Sequence, residues 1–401
     1  MTMRHAWVGL VALTVAVYYA WLGQGSLDIA GGGIAAGWFI DTDDTTRAMR
    51  VLALLNGGSW FDSTLHEVMG GLVSHWTRPS DLVVLLFAWP MHWIGYAAKD
   101  AILHASYVSP LVLLGCFVAC WVWAVRPLAR ADGQDWMLLA AAPIAGFLAA
   151  GWFAPMRIDH HALIFTWATL MVGCALRLAT GQHGRWLPAL GGLAAGIAVW
   201  IGIEEMLYVG CFFATIAVAW LIDGRPGLAR TNLIVTGAAA VAVVLAMVAE
   251  RGASSLVDPA WDFDRISAFH AALFVAVAIG WAVIVVLERR LRSRVGDSSK
   301  AGAIVARGVI AATGASFVLV AVILLEPGLL VGSPEANVSP LYAELRLKMI
   351  REGQPVFSPE MIAEHGFVEA MRIGLGGLVI AVLGIAAVLA MGMRGWRQSA
   401  L

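Results

Sequence analysis

The sequence predicts an all-α polytopic membrane protein, and two observations carry that prediction. Of its 401 residues 60% are hydrophobic and only 13% are charged, where soluble domains carry about 25% charged residues. Apolar runs as long as a membrane-crossing helix, roughly 17–25 residues, recur along the whole chain. A transmembrane barrel would show ~10-residue alternating strands instead. Mean hydropathy is +0.79. The formal net charge of −1 gives no electrostatic case for nucleic acid. Cys116, Cys120, Cys174 and Cys211 all sit inside apolar segments without metal-ligand spacing. They read as small core residues.

Taken in order, residues 6–22 follow Arg4 and His5 and form a first span with a cytoplasmic N-terminus. Tyr18, Tyr19 and Trp21 mark it as an anchored helix rather than a cleaved signal. Gly31, Gly32 and Gly33 make a hinge or turn, and residues 43–55 a short surface helix. Residues 82–97 are apolar but interrupted by Pro90 and His92. If they spanned, the later basic loops would fall outside. Read as interfacial, they place every short basic loop on the cytoplasmic side, as the positive-inside rule requires.

The remaining spans are 107–125, 136–153, 162–179, 187–203, 206–222, 231–249, 270–287, 301–325 and 373–393. This gives about ten transmembrane helices in one domain, 1–401, with both termini inside. The outward loops 23–106 and 326–372 are long, and long structured loops on a scaffold tend to carry function. No separate soluble domain and no internal repeat is evident. The second absence weakens a transporter built on inverted repeats.

Most carboxylates face outward, where the chemistry concentrates. Asp41, Asp43 and Asp44, followed by Arg47 and Arg50, leave the first span. Three carboxylates in four residues repel one another unless a cation, proton or arginine compensates. A divalent cation with oxygen ligands meets that need, and a helix-capping acidic turn is the plainer account. Arg157-Ile158-Asp159-His160-His161 interrupts two apolar runs. Polar residues so placed read as a functional site, and carboxylate plus imidazole suits Mn²⁺, Mg²⁺ or Zn²⁺. The plainer account here is a helix end capped at the interface. Glu204-Glu205 lies between two spans with almost no loop. Glu250, Arg251, Asp258, Asp262, Asp264 and Arg265 form another outward polar group, in which the arginines suit a lipid phosphate or, equally, a plain interfacial salt-bridge set. Glu352 stands beside Gly353 and near Pro355 in the last outward loop. Trp76 is one of several tryptophans near the interfaces, explained by the aromatic belt or by stacking on a sugar.

In this order the pieces resemble the GT-C superfamily of membrane glycosyltransferases. The likeness is to the oligosaccharyltransferase catalytic subunit and its smaller bacterial relatives. Asp41-Thr42-Asp43-Asp44-Thr45-Thr46-Arg47 is similar to that family's acidic motif after helix 1, and Asn56 to Asp62 to its Gly-rich aromatic stretch. Ser74-His75-Trp76-Thr77-Arg78-Pro79 is similar to the segment that follows, and Asp159-His160-His161 to the second acidic motif. Ile350 to Pro355 is similar to the glutamate segment of the last loop. The likeness runs over residues 1 to about 395 and is specific at the two acidic motifs.

The resemblance implies transfer of a sugar or oligosaccharide from a polyprenyl-phosphate or -diphosphate donor to a glycan, lipid or protein acceptor. It implies a periplasmic site in a bacterial inner membrane and a divalent metal, Mn²⁺ or Mg²⁺. Asp41 would bind the metal and help activate the acceptor, a role that Asp43 or Asp44 fills equally by spacing. Asp159 and His161 would complete the coordination, and Glu352 would approach as its loop closes. Asp43, Arg47, Trp76, Arg157, His160 and Arg265 would contact substrate. His161 stands where the family usually has a carboxylate, and no Trp-Trp-Asp acceptor motif is present, which speaks against sequon recognition. A transporter or flippase of a lipid-linked sugar or ion, or a non-catalytic assembly subunit, are the competing readings.

Overall fold

The structure, a computed structural model, describes residues 39, 42–65, 71–125, 150–181, 184–262, 265–292 and 300–325. Helix α1, Thr42–Leu55, starts with Asp43 and Asp44 in its first turn, where carboxylates complement the helix dipole. A short antiparallel ladder follows, β1 Thr64–Leu65 with β2 Leu72–Val73, pairing Thr64 with Val73 and Leu65 with Leu72. Helix α2, Pro79–Trp93, begins on a proline, whose missing N–H costs nothing in the first turn. Its 15 residues reach about 22 Å, short of the roughly 30 Å apolar layer. Leu86, Trp89 and Trp93 stay exposed on one side while Val84 and Ala88 are buried on the other. Both facts agree with a helix lying at the membrane surface.

The helices that follow are α3 Ala98–Val125, α4 His161–Thr180, α5 Leu187–Ile201, α6 Met206–Asp223, α7 Leu228–Arg251, α8 Ala268–Arg292 and α9 Lys300–Leu325. Among the described residues six helices are long and apolar enough to cross a membrane, and α5 is apolar but shorter. The chain is an integral membrane protein by this measure. Helix α3 begins at Ala98, not at residue 107. Lys99 and Asp100 mask the start in the sequence, yet Ala101, Ile102 and Ala105 bury against α1 and α2. The predicted spans 6–22 and 373–393, most of 136–153, the last outward loop, Asp41 and Glu352 lie outside the described residues.

Helix α5 packs along α7, and α7 along α8. Gly192 and Gly196 sit at the first of these contacts. A Cβ at Gly192 would strike the carbonyl of Val235, and one at Gly196 would lie 2.8 Å from the Ala239 carbonyl. Only glycine lets the two backbones approach this closely, the usual device for joining helices in lipid. Val199, Ala239 and Val243 are fully buried in the core that results. A second core, Val51, Val84, Ala88 and Ile102, packs α1 and α2 onto α3 and includes Ile158. It is this second core that carries the acidic end of α1 to the turn before α4.

Candidate functional site

The turn entering α4 is tightly bent. Met156 adopts φ 68°, the left-handed region that favours glycine. Its N–H donates to the Ser106 carbonyl at 2.9 Å and its side chain is buried. The bend aims Arg157, Ile158 and Asp159 at α1. Asp44, 0% exposed, accepts from the N–H groups of Ile158 and Asp159 on Oδ1, at 2.8 and 2.9 Å. Arg157 Nη1 lies 3.2 Å from Oδ2, which receives no hydrogen bond. Two acidic motifs 115 residues apart thus meet. Burial pushes the Asp44 carboxyl up to about 7, with the neighbouring Asp159 charge adding to the rise and Arg157 opposing it.

Asp159 folds back over both histidines. Its Oδ1 meets His160 Nδ1 and its Oδ2 meets His161 Nδ1. His160 Nε2 is 2.5 Å from Glu204 Oε1, so both its nitrogens face carboxylates. Burial disfavours the imidazolium, but the bonds to Asp159 and Glu204 outweigh it and push His160 up to about 9. Burial likewise works against the Asp159 carboxylate, and the two histidines overcome it, holding Asp159 well below the usual carboxylate range. Trp152 stacks on the His161 ring with centroids 3.9 Å apart, and the Arg157 guanidinium lies 5.1 Å from the Trp152 centroid. Trp152 therefore fixes the plane of His161.

Asp159, His160 and His161 each offer a ligand atom, all within 4.8 Å of one another. The set is oxygen and imidazole nitrogen, and it suits Mn²⁺, Mg²⁺ or Zn²⁺. Oδ2 of Asp44 is a buried hard donor without a hydrogen bond, 3.2 Å from Arg157 Nη1. These residues fit a divalent cation.

The other sequence-predicted residues divide. Arg47 and Asp159 come within 3.8 Å. Asp43 is half-buried beside Thr42. Trp76 gives its carbonyl to Arg50 at 2.7 Å, and its ring centroid lies 5.8 Å from the Arg47 guanidinium. Arg265 joins Arg251 on Asp262, a separate cluster. Glu250, which the sequence groups with that cluster, turns away from it. It accepts from the N–H of Arg78 and from Trp200 Nε1, both at 2.6 Å. Two residues escape the sequence reading. Glu204 is recognised there as polar but not as a partner of His160. Asp81, fully buried under three arginines, carries no sequence signal beyond an acidic first turn.

A small cavity of about 10 Å³, room for a single water, adjoins the turn. Ser80, Arg157 and Asp159 line one part of it, and Val83, Leu113 and Leu163 supply an apolar wall from α2, α3 and α4.

An apolar helical scaffold carries a convergent acidic centre at one end. The fold is that of the oligosaccharyltransferases. The Archaeoglobus fulgidus oligosaccharyltransferase in its apo form matches with a TM-score of 0.57 and 14% identity, over 88% of this chain and 39% of its own. The archaeal oligosaccharyltransferase AglB from the same organism, in complex with an inhibitory peptide and a dolichol-phosphate, matches at 0.56 and 15%, over 91% and 41%. The Archaeoglobus enzyme with Zn and sulfate matches at 0.50 and 14%, over 88% and 47%. The chain spans about two-fifths of the length of the first two. No family model and no curated protein sequence matches it.

Proposed function

We propose that the protein is a membrane glycosyltransferase. It moves a sugar or oligosaccharide from a polyprenyl-phosphate or -diphosphate donor to an acceptor, on the periplasmic face of a bacterial inner membrane. The observation that carries this reading is the bonding of Asp44 to the backbone of the Asp159 turn. It unites the two acidic motifs in one centre. The fold likeness supports the class, and the dolichol-phosphate and peptide bound to AglB support a lipid-linked donor and a separate acceptor.

The chemistry divides among the residues. The acceptor oxygen or nitrogen attacks the anomeric carbon, the bond from that carbon to the phosphate oxygen breaks, and the acceptor proton passes to a carboxylate. We assign the last role to Asp44, within the outward acidic stretch. Spacing leaves the choice among Asp41, Asp43 and Asp44 open; the contacts of Asp44 with the Asp159 turn support Asp44, and Asp41 lies outside the described residues. Asp44, Asp159 and His161 would hold Mn²⁺ or Mg²⁺, which supplies charge neutralisation to the departing phosphate. Trp152 orients His161. His160 is held between Asp159 and Glu204 with both nitrogens engaged, so of the three it is the least available as a ligand, and its proposed role stays substrate binding. Arg157 pairs with Asp44 and is near enough to share the phosphate. Asp43, Arg47, Trp76 and Arg265 remain proposed substrate contacts, as the resemblance implies, and Asp41 and Glu352, which lie outside the described residues, remain proposed catalytic carboxylates.

Purified protein in detergent, given synthetic polyprenyl-phosphate and -diphosphate sugars, tests this. Donor turnover that requires Mn²⁺ or Mg²⁺ and is lost in Asp159→Ala is the expected result. Detergent removes any gradient, so a transporter would show no turnover. Equal turnover in the variant would also count against the proposal.

A further inference from the structure

Asp81 opens α2 at 0% exposure, beyond reach of water. Three guanidinium groups converge on it. Arg47 Nη1 is 2.9 Å from Oδ1, Arg50 Nη2 is 2.9 Å from Oδ2, and Arg78 Nη1 is 3.0 Å from Oδ2. All three arginines are themselves buried. Isolated charges are not tolerated in such surroundings, so each arginine must answer to a carboxylate or to carbonyls.

The three are not equally provided for. Arg50 also donates to Ser74 Oγ at 3.0 Å and to the Trp76 carbonyl at 2.7 Å. Arg78 also donates to the carbonyls of Trp60 and Asp62. Arg47 has only a long bond, 3.4 Å, to the Thr77 carbonyl besides Asp81, and its Nε, like that of Arg50, has no acceptor. Its second terminal nitrogen already points at the candidate centre, 3.8 Å from Asp159 Oδ1. Arg47 sits one turn after Asp44 on α1. A guanidinium released from Asp81 therefore has one near destination, the carboxylates of the site.

We propose that Asp81 is a positioning residue that keeps Arg47 off Asp159. By holding one end of that guanidinium it leaves the negative charge of Asp159, and of Asp44 beside it, available to a divalent cation. The inference rests on the metal-assisted reading above. Partners outside the ligand set commonly change metal affinity by about 10–100-fold. Here the mechanism is specific: without the Asp81 charge, Arg47 competes with the metal for the same oxygens.

The test is Mn²⁺ binding to the full purified chain, read from the loss of the free Mn²⁺ signal in electron paramagnetic resonance, with thermal unfolding measured alongside. Asp81→Asn is expected to weaken Mn²⁺ binding at least about tenfold. Asp81→Glu, which keeps the charge, is expected to recover part of the loss. In the double variant Asp81→Asn with Arg47→Gln, no guanidinium remains to fall on Asp159, and affinity returns toward wild type even though more contacts are lost. A merely structural role predicts the opposite order, the double variant worse than the single. Arg47→Gln alone keeps the proposal falsifiable if Asp81→Asn fails to fold: removing a positive charge near Asp159 is expected to tighten Mn²⁺ binding. Unchanged or weaker binding in Arg47→Gln, or wild-type affinity in Asp81→Asn, overturns this inference alone. Absence of Mn²⁺ binding in the wild type overturns it together with the metal-assisted reading.

Discussion

Asp44 offers the sharpest separation of folding from chemistry. Its Oδ1 satisfies two backbone N–H groups in a fully buried setting. Asp44→Ala orphans both. An unsatisfied buried donor costs about 1–3 kcal/mol, so the pair amounts to roughly 2–6 kcal/mol, and Arg157 loses its carboxylate as well. Asp44→Asn behaves differently. The amide oxygen still accepts both N–H bonds, and only the charge is lost. Burial pushes the Asp44 carboxyl up to about 7, so at pH 6 in metal-free protein the native group is already mostly neutral. The asparagine variant should then cost less than about 1 kcal/mol, the scale of a neutral hydrogen-bond exchange. Thermal unfolding of metal-free protein in detergent, followed by tryptophan fluorescence at pH 6, measures both. Donor turnover, by contrast, should vanish in both. Equal destabilisation by alanine and asparagine at pH 6 would refute the backbone-acceptor role. So would an alanine variant as stable as wild type.

Other expectations follow from the same geometry. Gly196→Leu should separate α5 from α7, since a Cβ there already presses on the Ala239 carbonyl. The measurable outcome is lower thermal stability and a weakened outer end, where Thr77 Oγ1 donates to the Ile201 carbonyl at 2.8 Å. His160 is raised to about 9 from an ordinary 6.5. Its contribution to metal-free stability is therefore full below about pH 6.5 and lost as pH rises through about 9. His160→Gln should flatten that part of the stability profile. Met156→Gly relieves the left-handed backbone but empties a buried site. A loss of about 2 kcal/mol or more is expected, because deleting a buried methionine side chain outweighs the relief.

Much of the fold was legible because apolar length and basic loops constrain it directly. The helix after the first acidic motif was legible too, from Asp43 and Asp44 at its start. The site was legible only as pieces. Asp159 and His161 stood out as polar residues between apolar runs, but the three acidic positions near residue 41 were indistinguishable by spacing. Among the described residues, Asp44 faces the backbone of Ile158 and Asp159 from α1, a contact fixed by packing through Val51, Val84 and Ile158. Glu204 and His160 are 44 residues apart, and Asp81 receives arginines from two separate segments. Long-range pairings of this kind leave no periodicity behind. An aspartate after a proline at a helix start reads as ordinary dipole compensation. Glu250 was misgrouped for a related reason. Its sequence neighbours face Asp262, whereas its own carboxylate turns to Arg78 and Trp200.

The most direct measurement is anomalous diffraction from crystals of the full chain soaked in Mn²⁺. One anomalous peak bonded jointly by Asp44, Asp159 and His161 is the predicted result. A peak bound elsewhere, or no peak from protein that still turns over donor, would contradict a shared centre built from the two acidic motifs.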